Sequence, residues 1–92
     1  MNKYRIFETE SFQKDLKHIA MSGQSKLAQK LQEFVYPQLR SHPQFGPNIK
    51  KLKGFKPATW RYRIGAWRFF YEISEQEQIV FMLAALHRSS AY

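Results

Sequence analysis

The chain has 92 residues and no cysteine. That length predicts one domain, 1–92, and the missing thiols exclude disulfides and thiolate metal centres. The net charge of +8 and pI of about 10.0 point to a polyanionic partner, nucleic acid or a strongly acidic protein.

Composition sets further limits. With 43% hydrophobic and 16% aromatic residues the chain can build one core, though a domain this small buries only roughly 60–65% of its unfolded surface. No apolar run approaches the ~20 residues of a membrane span. The opening MNKYRIFETESF lacks the apolar centre of a signal peptide. A cytoplasmic protein with no membrane contact is the expectation.

Lys3-Tyr4-Arg5-Ile6-Phe7 alternates and is rich in strand-forming residues, so it predicts a short edge strand. Thr9 or Ser11 can cap a helix carrying Phe12, Leu16, Ile19 and Ala20, which Gly23 ends. A second helix from Ser22–Ser25 onward places Leu27, Ala28, Leu31, Phe34 and Val35 on one stripe. Pro37 should kink or end it near Tyr36. Residues 41–49, SHPQFGPNI, read as the main loop.

The remainder reads as β-structure. Trp60, Tyr62 and Ile64 alternate with Arg61 and Arg63; Trp67, Phe69, Tyr71 and Ile73 alternate with Arg68, Phe70 and Glu72. Between them Gly65-Ala66 suits a two-residue turn with glycine first. Ser74–Gln78 is a second polar turn. Ile79–Leu86 is continuously apolar, as in a central strand covered on both faces. The expected fold class is α+β in the order β-α-α-β-β-β. An N-terminal helical hairpin would pack on a small, twisted, mostly antiparallel sheet.

Lys50, Lys51, Lys53, Lys56, Arg61, Arg63 and Arg68 lie in a stretch without Asp or Glu. The hairpin register turns part of this charge into geometry. A Gly65-Ala66 turn sets Ile64 opposite Trp67, Arg63 opposite Arg68, Tyr62 opposite Phe69 and Arg61 opposite Phe70. If the aromatic positions face the helices, Arg61, Arg63 and Arg68 emerge together on the other face. Like charges directly opposite on a sheet destabilise it by up to about 1 kcal/mol. A bound phosphate, held by forked charge-assisted hydrogen bonds, compensates that cost; the bland alternative is that the arginines splay into solvent or pair with Glu72 and Glu75.

The last strand carries His87 and Arg88 to its end, followed by Ser89, Ser90, Ala91 and Tyr92. Histidine, arginine and tyrosine can supply metal-free RNA cleavage, which needs a base for the ribose 2′-OH, cations for the phosphate and an acid for the departing 5′-oxygen. A lone histidine is more often structural, and His18 and His42 are read so. No His/Asp/Glu cluster has metal-ligand spacing and no glycine-rich loop cradles a phosphate, so neither metal nor cofactor is expected.

Nearly the whole chain resembles the RelE/ParE superfamily of type II toxin–antitoxin toxins. The likeness rests on SFQKDLKHI, NIKKLKGF, TWRYRIGAWRFFYEI and the terminal LHRSSAY. It implies a sheet face used for chemistry and a cognate antitoxin, acidic or amphipathic, that wraps the toxin in an oligomeric complex. RelE-like members cut mRNA in the ribosomal A site. On that pattern Arg61 and Arg63 lie along the mRNA backbone and Arg68 holds the scissile phosphate. Arg88, or His87, protonates the leaving group. Tyr92 stacks on a base or accepts a proton, and Lys51 and Lys53 resemble loop lysines that contact RNA; Lys50 and Lys56, from the same basic stretch, are expected to bind RNA beside them. The acidic base of some members has no counterpart near Asn48–Leu52. The alternatives are a ParE-like toxin that poisons DNA gyrase by protein contact, and a noncatalytic RNA-binding or decayed toxin.

Overall fold

The computed structural model describes residues 3–89. Five strands form one mixed sheet in the order β1-β5-β4-β3-β2: β1 Arg5–Glu8, β2 Ile49–Lys51, β3 Trp60–Ile64, β4 Trp67–Ser74 and β5 Ile79–His87. β1 runs parallel to β5 and the other three pairings are antiparallel. The expected α+β class and mostly antiparallel sheet hold, with one strand more than expected. β2 arises inside what read as loop and lysine-rich segment, and it is only three residues long.

Helix α1, Glu10–Met21, starts at Thr9, whose hydroxyl accepts from Phe12 N–H at 3.2 Å and donates to the Met82 carbonyl at 2.7 Å. The cap therefore also pins the helix to β5. Past Met21 the chain leaves the helix through Ser22 and Gly23, the latter at φ 90°, a left-handed conformation natural to glycine after a helix end.

The second helical rod does not stop at Tyr36. It runs as α2, Ser25–Lys30, then one π turn, Leu31–Val35, then α3, Tyr36–Ser41. Tyr36 N–H bonds back five residues to the Leu31 carbonyl. An α-helix would crowd the Pro37 ring against the carbonyl four residues earlier; a wider turn just upstream relieves the crowding. It also realigns the apolar stripe. Leu27, Leu31, Val35 and Leu39 are buried at a repeated spacing of four, which in a pure α-helix drifts by about 40° per step. Phe34, placed on the stripe from sequence, is 61% exposed instead.

Helices cover one face of the sheet. Phe12, Ile19, Leu27, Leu31, Val35, Tyr36 and Leu39 pack against Tyr62, Phe69, Tyr71, Val80, Met82 and Ala85. Phe12 and Phe69 meet edge to face, 6.1 Å between centroids. Tyr71 reaches the Pro43 carbonyl at 2.6 Å and ties the 42–48 loop to the sheet. β5 is interior, between β1 and β4, but it is not covered on both faces: Val80, Met82 and Ala85 are buried, whereas Phe81, Leu83, Ala84 and Leu86 are half-buried.

Candidate nucleic-acid interface

The β3–β4 hairpin has the register derived above: Ile64↔Trp67, Arg63↔Arg68, Tyr62↔Phe69 and Arg61↔Phe70. Gly65, at φ 55°, supplies the left-handed first position of the turn. Tyr62, Phe69 and Tyr71 are buried toward the helices. Successive side chains alternate between faces, so Arg61, Arg63, Arg68 and Phe70 share the open face.

β2 extends this face. Lys50 is the register partner of Arg61 and joins the arginines. Lys51 partners Trp60 and lies on the opposite face, its ammonium 5.8 Å from the Trp60 ring centre. Lys53 and Lys56 are exposed in the segment between β2 and β3. The four lysines read as one RNA-contact group therefore divide, one beside the arginines, one behind the sheet and two on a loop.

Within the basic face the side chains differ. Arg63 is exposed, and its Nε donates to the Gly65 carbonyl at 3.3 Å. Arg61 and Arg68 are half-buried. Arg61 Nε is shielded from solvent with no hydrogen-bond partner among the described residues. A buried unsatisfied N–H of a cation costs more than a neutral one, and an anion laid along β3 would satisfy it. Toward β1 the open face turns aromatic: Phe70 is half-buried, and Phe7, 53% exposed, meets Phe81 edge to face at 5.7 Å. Guanidinium groups beside aromatic faces suit a single strand whose phosphates need charge and whose bases need stacking partners.

His87 does not join them. It is the register partner of Trp67, and the two rings meet at 83° with 5.2 Å between centroids. Its ring lines a cleft of about 290 Å³ with Asp15, His18 and Ser22 of the α1 side. The cause is a bulge: Phe70 pairs with Ala84 but Tyr71 with Met82, leaving Leu83 over. One extra residue moves every later side chain to the other face. Arg88 N–H bonds the Ala66 carbonyl at 2.7 Å, so the ladder continues one step beyond β5. Arg88 is thus in phase with Leu86 and Arg68. Tyr92 lies outside the described residues.

One contributor escaped the sequence reading. Asp15 accepts the Ala85 N–H at 2.9 Å. Its signal was present: it sits three residues after Phe12 and four before Ile19, on the stripe that faces the sheet.

A family model described as "ParE toxin of type II toxin-antitoxin system, parDE" matches residues 6–92. A search of curated proteins finds no match. Among solved structures, the chain is similar to a metal-bound toxin from Helicobacter pylori, with TM-score 0.77, 24% identity, and 97% of this chain and 99% of that one covered. The YoeB/ParE toxin of Agrobacterium tumefaciens superposes with TM-score 0.73 and 20% identity over 90% and 97% of the two chains. A chain of the RelBE2 toxin–antitoxin complex from Mycobacterium tuberculosis gives 0.70 and 24% over 94% and 99%. These likenesses describe the fold, and the model match extends from β1 through the basic hairpin and β5. The chain belongs to the ParE toxin family of type II toxin–antitoxin systems.

Proposed function

We propose that this toxin is a metal-independent endoribonuclease that cuts mRNA in the ribosomal A site and is held in check by a cognate antitoxin. The observation that carries the reading is Arg63 directly opposite Arg68, with Arg61 and Lys50 in phase beside them on the open face. Two guanidinium groups set opposite each other on one face are placed to grip a shared phosphate with forked, charge-assisted hydrogen bonds.

In this reading Arg61, Arg63 and Lys50 lie along the backbone of the strand, and Arg68 binds the scissile phosphate. The 2′-oxygen attacks phosphorus as the bond to the 5′-oxygen breaks. The products are a 2′,3′-cyclic phosphate and a 5′-hydroxyl, and DNA, lacking the 2′-OH, is not cut. As the 2′-OH gives up its proton, directly or by way of Tyr92, to solvent and the departing 5′-oxygen takes one from solvent, Arg88 donates a hydrogen bond to that oxygen. With a pKa above about 12 it stabilises charge there better than it surrenders a proton. Tyr92 is assigned the proton-accepting or base-stacking role. His87, behind the sheet, has no part in the step.

Arg68→Ala tests the proposal. Cleavage mapped by primer extension on mRNA from expressing cells should fall at least ~10²-fold. Undiminished cleavage removes Arg68 from the mechanism. The ParE family match favours a second reading, inhibition of DNA gyrase through protein contact. It predicts growth arrest with gyrase cleavage complexes and no mapped mRNA cuts, since one fold can serve both activities.

A further inference from the structure

The Asp15–Ala85 hydrogen bond stands where a strand is missing. β1 accompanies β5 only from Arg5↔Ile79 to Glu8↔Met82. At Thr9 the chain turns into α1, and Thr9 takes the Met82 carbonyl with both its N–H and its hydroxyl. Beyond Met82 the outer side of β5 has no β1 residue beside it. Along an antiparallel strand, successive residues bond alternately toward and away from the partner. Arg88 N–H bonds toward β4's turn at Ala66; Leu86 and Ala84 follow the same sense, and Ala85 points outward. The outward amide would lack a β-partner, and the Asp15 carboxylate fills that place.

The bond falls within two residues of the bulge. Before Leu83, Val80 and Met82 enter the core; after it, Ala85 is buried and His87 packs on Trp67. Without the extra residue, Arg68 would oppose Ala85 and Ala66 would oppose His87. His87 would then emerge beside the arginines, and Arg88 would turn under the helices. Side-chain chemistry in β5 discriminates weakly between these registers, because Leu83, Ala84, Ala85 and Leu86 are all apolar and fit either face. A fixed acceptor for one particular amide discriminates strongly, and a carboxylate makes a stronger acceptor than a neutral group.

We propose that Asp15 is a positioning residue: by accepting the Ala85 N–H it locks the bulged register of β5 and thereby assigns Arg88, rather than His87, to the arginine face. The inference rests on reading that face as the RNA site, but its structural half stands apart from it.

The chain has no cysteine, so introduced thiols label specifically. Spin-label pairs at Arg63→Cys with Arg88→Cys, and at His18→Cys with Arg88→Cys, report position 88 from the two sides of the sheet. On adding Asp15→Ala, the 63–88 distance should lengthen and the 18–88 distance shorten. Asp15→Asn, whose carboxamide oxygen still accepts the bond, should preserve both. Unchanged distances in a folded Asp15→Ala protein overturn the proposal. Should that variant not fold, hydrogen exchange in the wild-type chain decides. An Ala85 amide protected like its neighbour Leu86 supports the lock; exchange at the rate of an open edge sinks it.

On mRNA, with residues 63, 88 and 18 native, Asp15→Ala should lower kcat by about 10²-fold, as expected of a displaced catalytic group, with KM within twofold. Asp15→Asn should restore most of it. A fall in kcat without any shift in the label distances refutes the positioning role. A wild-type protein that cuts no mRNA removes the nuclease reading and leaves the distances to judge Asp15.

Discussion

The two faces of one hairpin obey opposite rules. On the covered face Tyr62, Phe69 and Tyr71 are almost fully buried and contact the helices. On the open face, in the same strands and one residue out of step, Arg61, Arg63 and Arg68 crowd like charges together. The first face stabilises the fold. The second is tolerated because the first is strong enough, and under the proposed reading its composition answers to an external anion. Changes on one face should therefore register in stability and changes on the other in RNA chemistry.

The largest expected effect tests the covered face. Phe69→Ala deletes a fully buried ring that meets Phe12 edge to face, and denaturant unfolding should show a loss of about 3–5 kcal/mol. Arg68→Ala is its counterpart one residue away. Its side chain is only half-buried on the open face, so unfolding free energy should change far less than in Phe69→Ala, while cleavage falls at least ~10²-fold. A large stability loss in Arg68→Ala would blur the division of labour.

Alkaline titration probes the covered face without mutation. Burial first, and Glu75 second, raise the Tyr4 phenol to about 12. Burial, aided by Glu8, raises Tyr36 further, and burial raises Tyr71 as well. A raised pKa means that the folded state holds its proton more tightly than the unfolded chain. The contribution is complete below the unfolded value near 10 and is lost as pH climbs through the folded value. Unfolding free energy should decline from about pH 10 upward, by about 1.4 kcal/mol per pH unit for each tyrosine ionised only on unfolding. A flat profile between pH 10 and 12 contradicts this.

The smallest effect separates two adjacent lysines. Lys50→Ala should reduce the slope of log RNA affinity against log salt by about 0.7, one phosphate contact on a single strand, whereas Lys51→Ala should leave it unchanged. Equal slopes would mean that β2 does not divide them.

What could be read in advance follows the strength of local signals. Residues 60–73 alternate apolar and polar around a two-residue turn, so both register and facing were legible, and with them the grouping of three arginines. β5 offered no such contrast. An apolar run carries no phase, so the bulge at Leu83 and the turning away of His87 were invisible. β2 is too short to show a period, and only pairing with β3 separates Lys50 from Lys51. Pro37 announced a break that a widened helical turn absorbed. The role of Asp15 needed β1 to end at Glu8, which is a fact of topology.

The parallel pairing of β1 with β5 joins the first strand to the last. A nascent chain can form its helices early, but the Thr9 hydroxyl has no Met82 carbonyl to bond and β1 no strand to pair with until residues 79–87 have emerged. That closing strand also carries Arg88 to the hairpin turn, so under the proposed reading the RNA site stays incomplete until β5 has emerged and paired with β4.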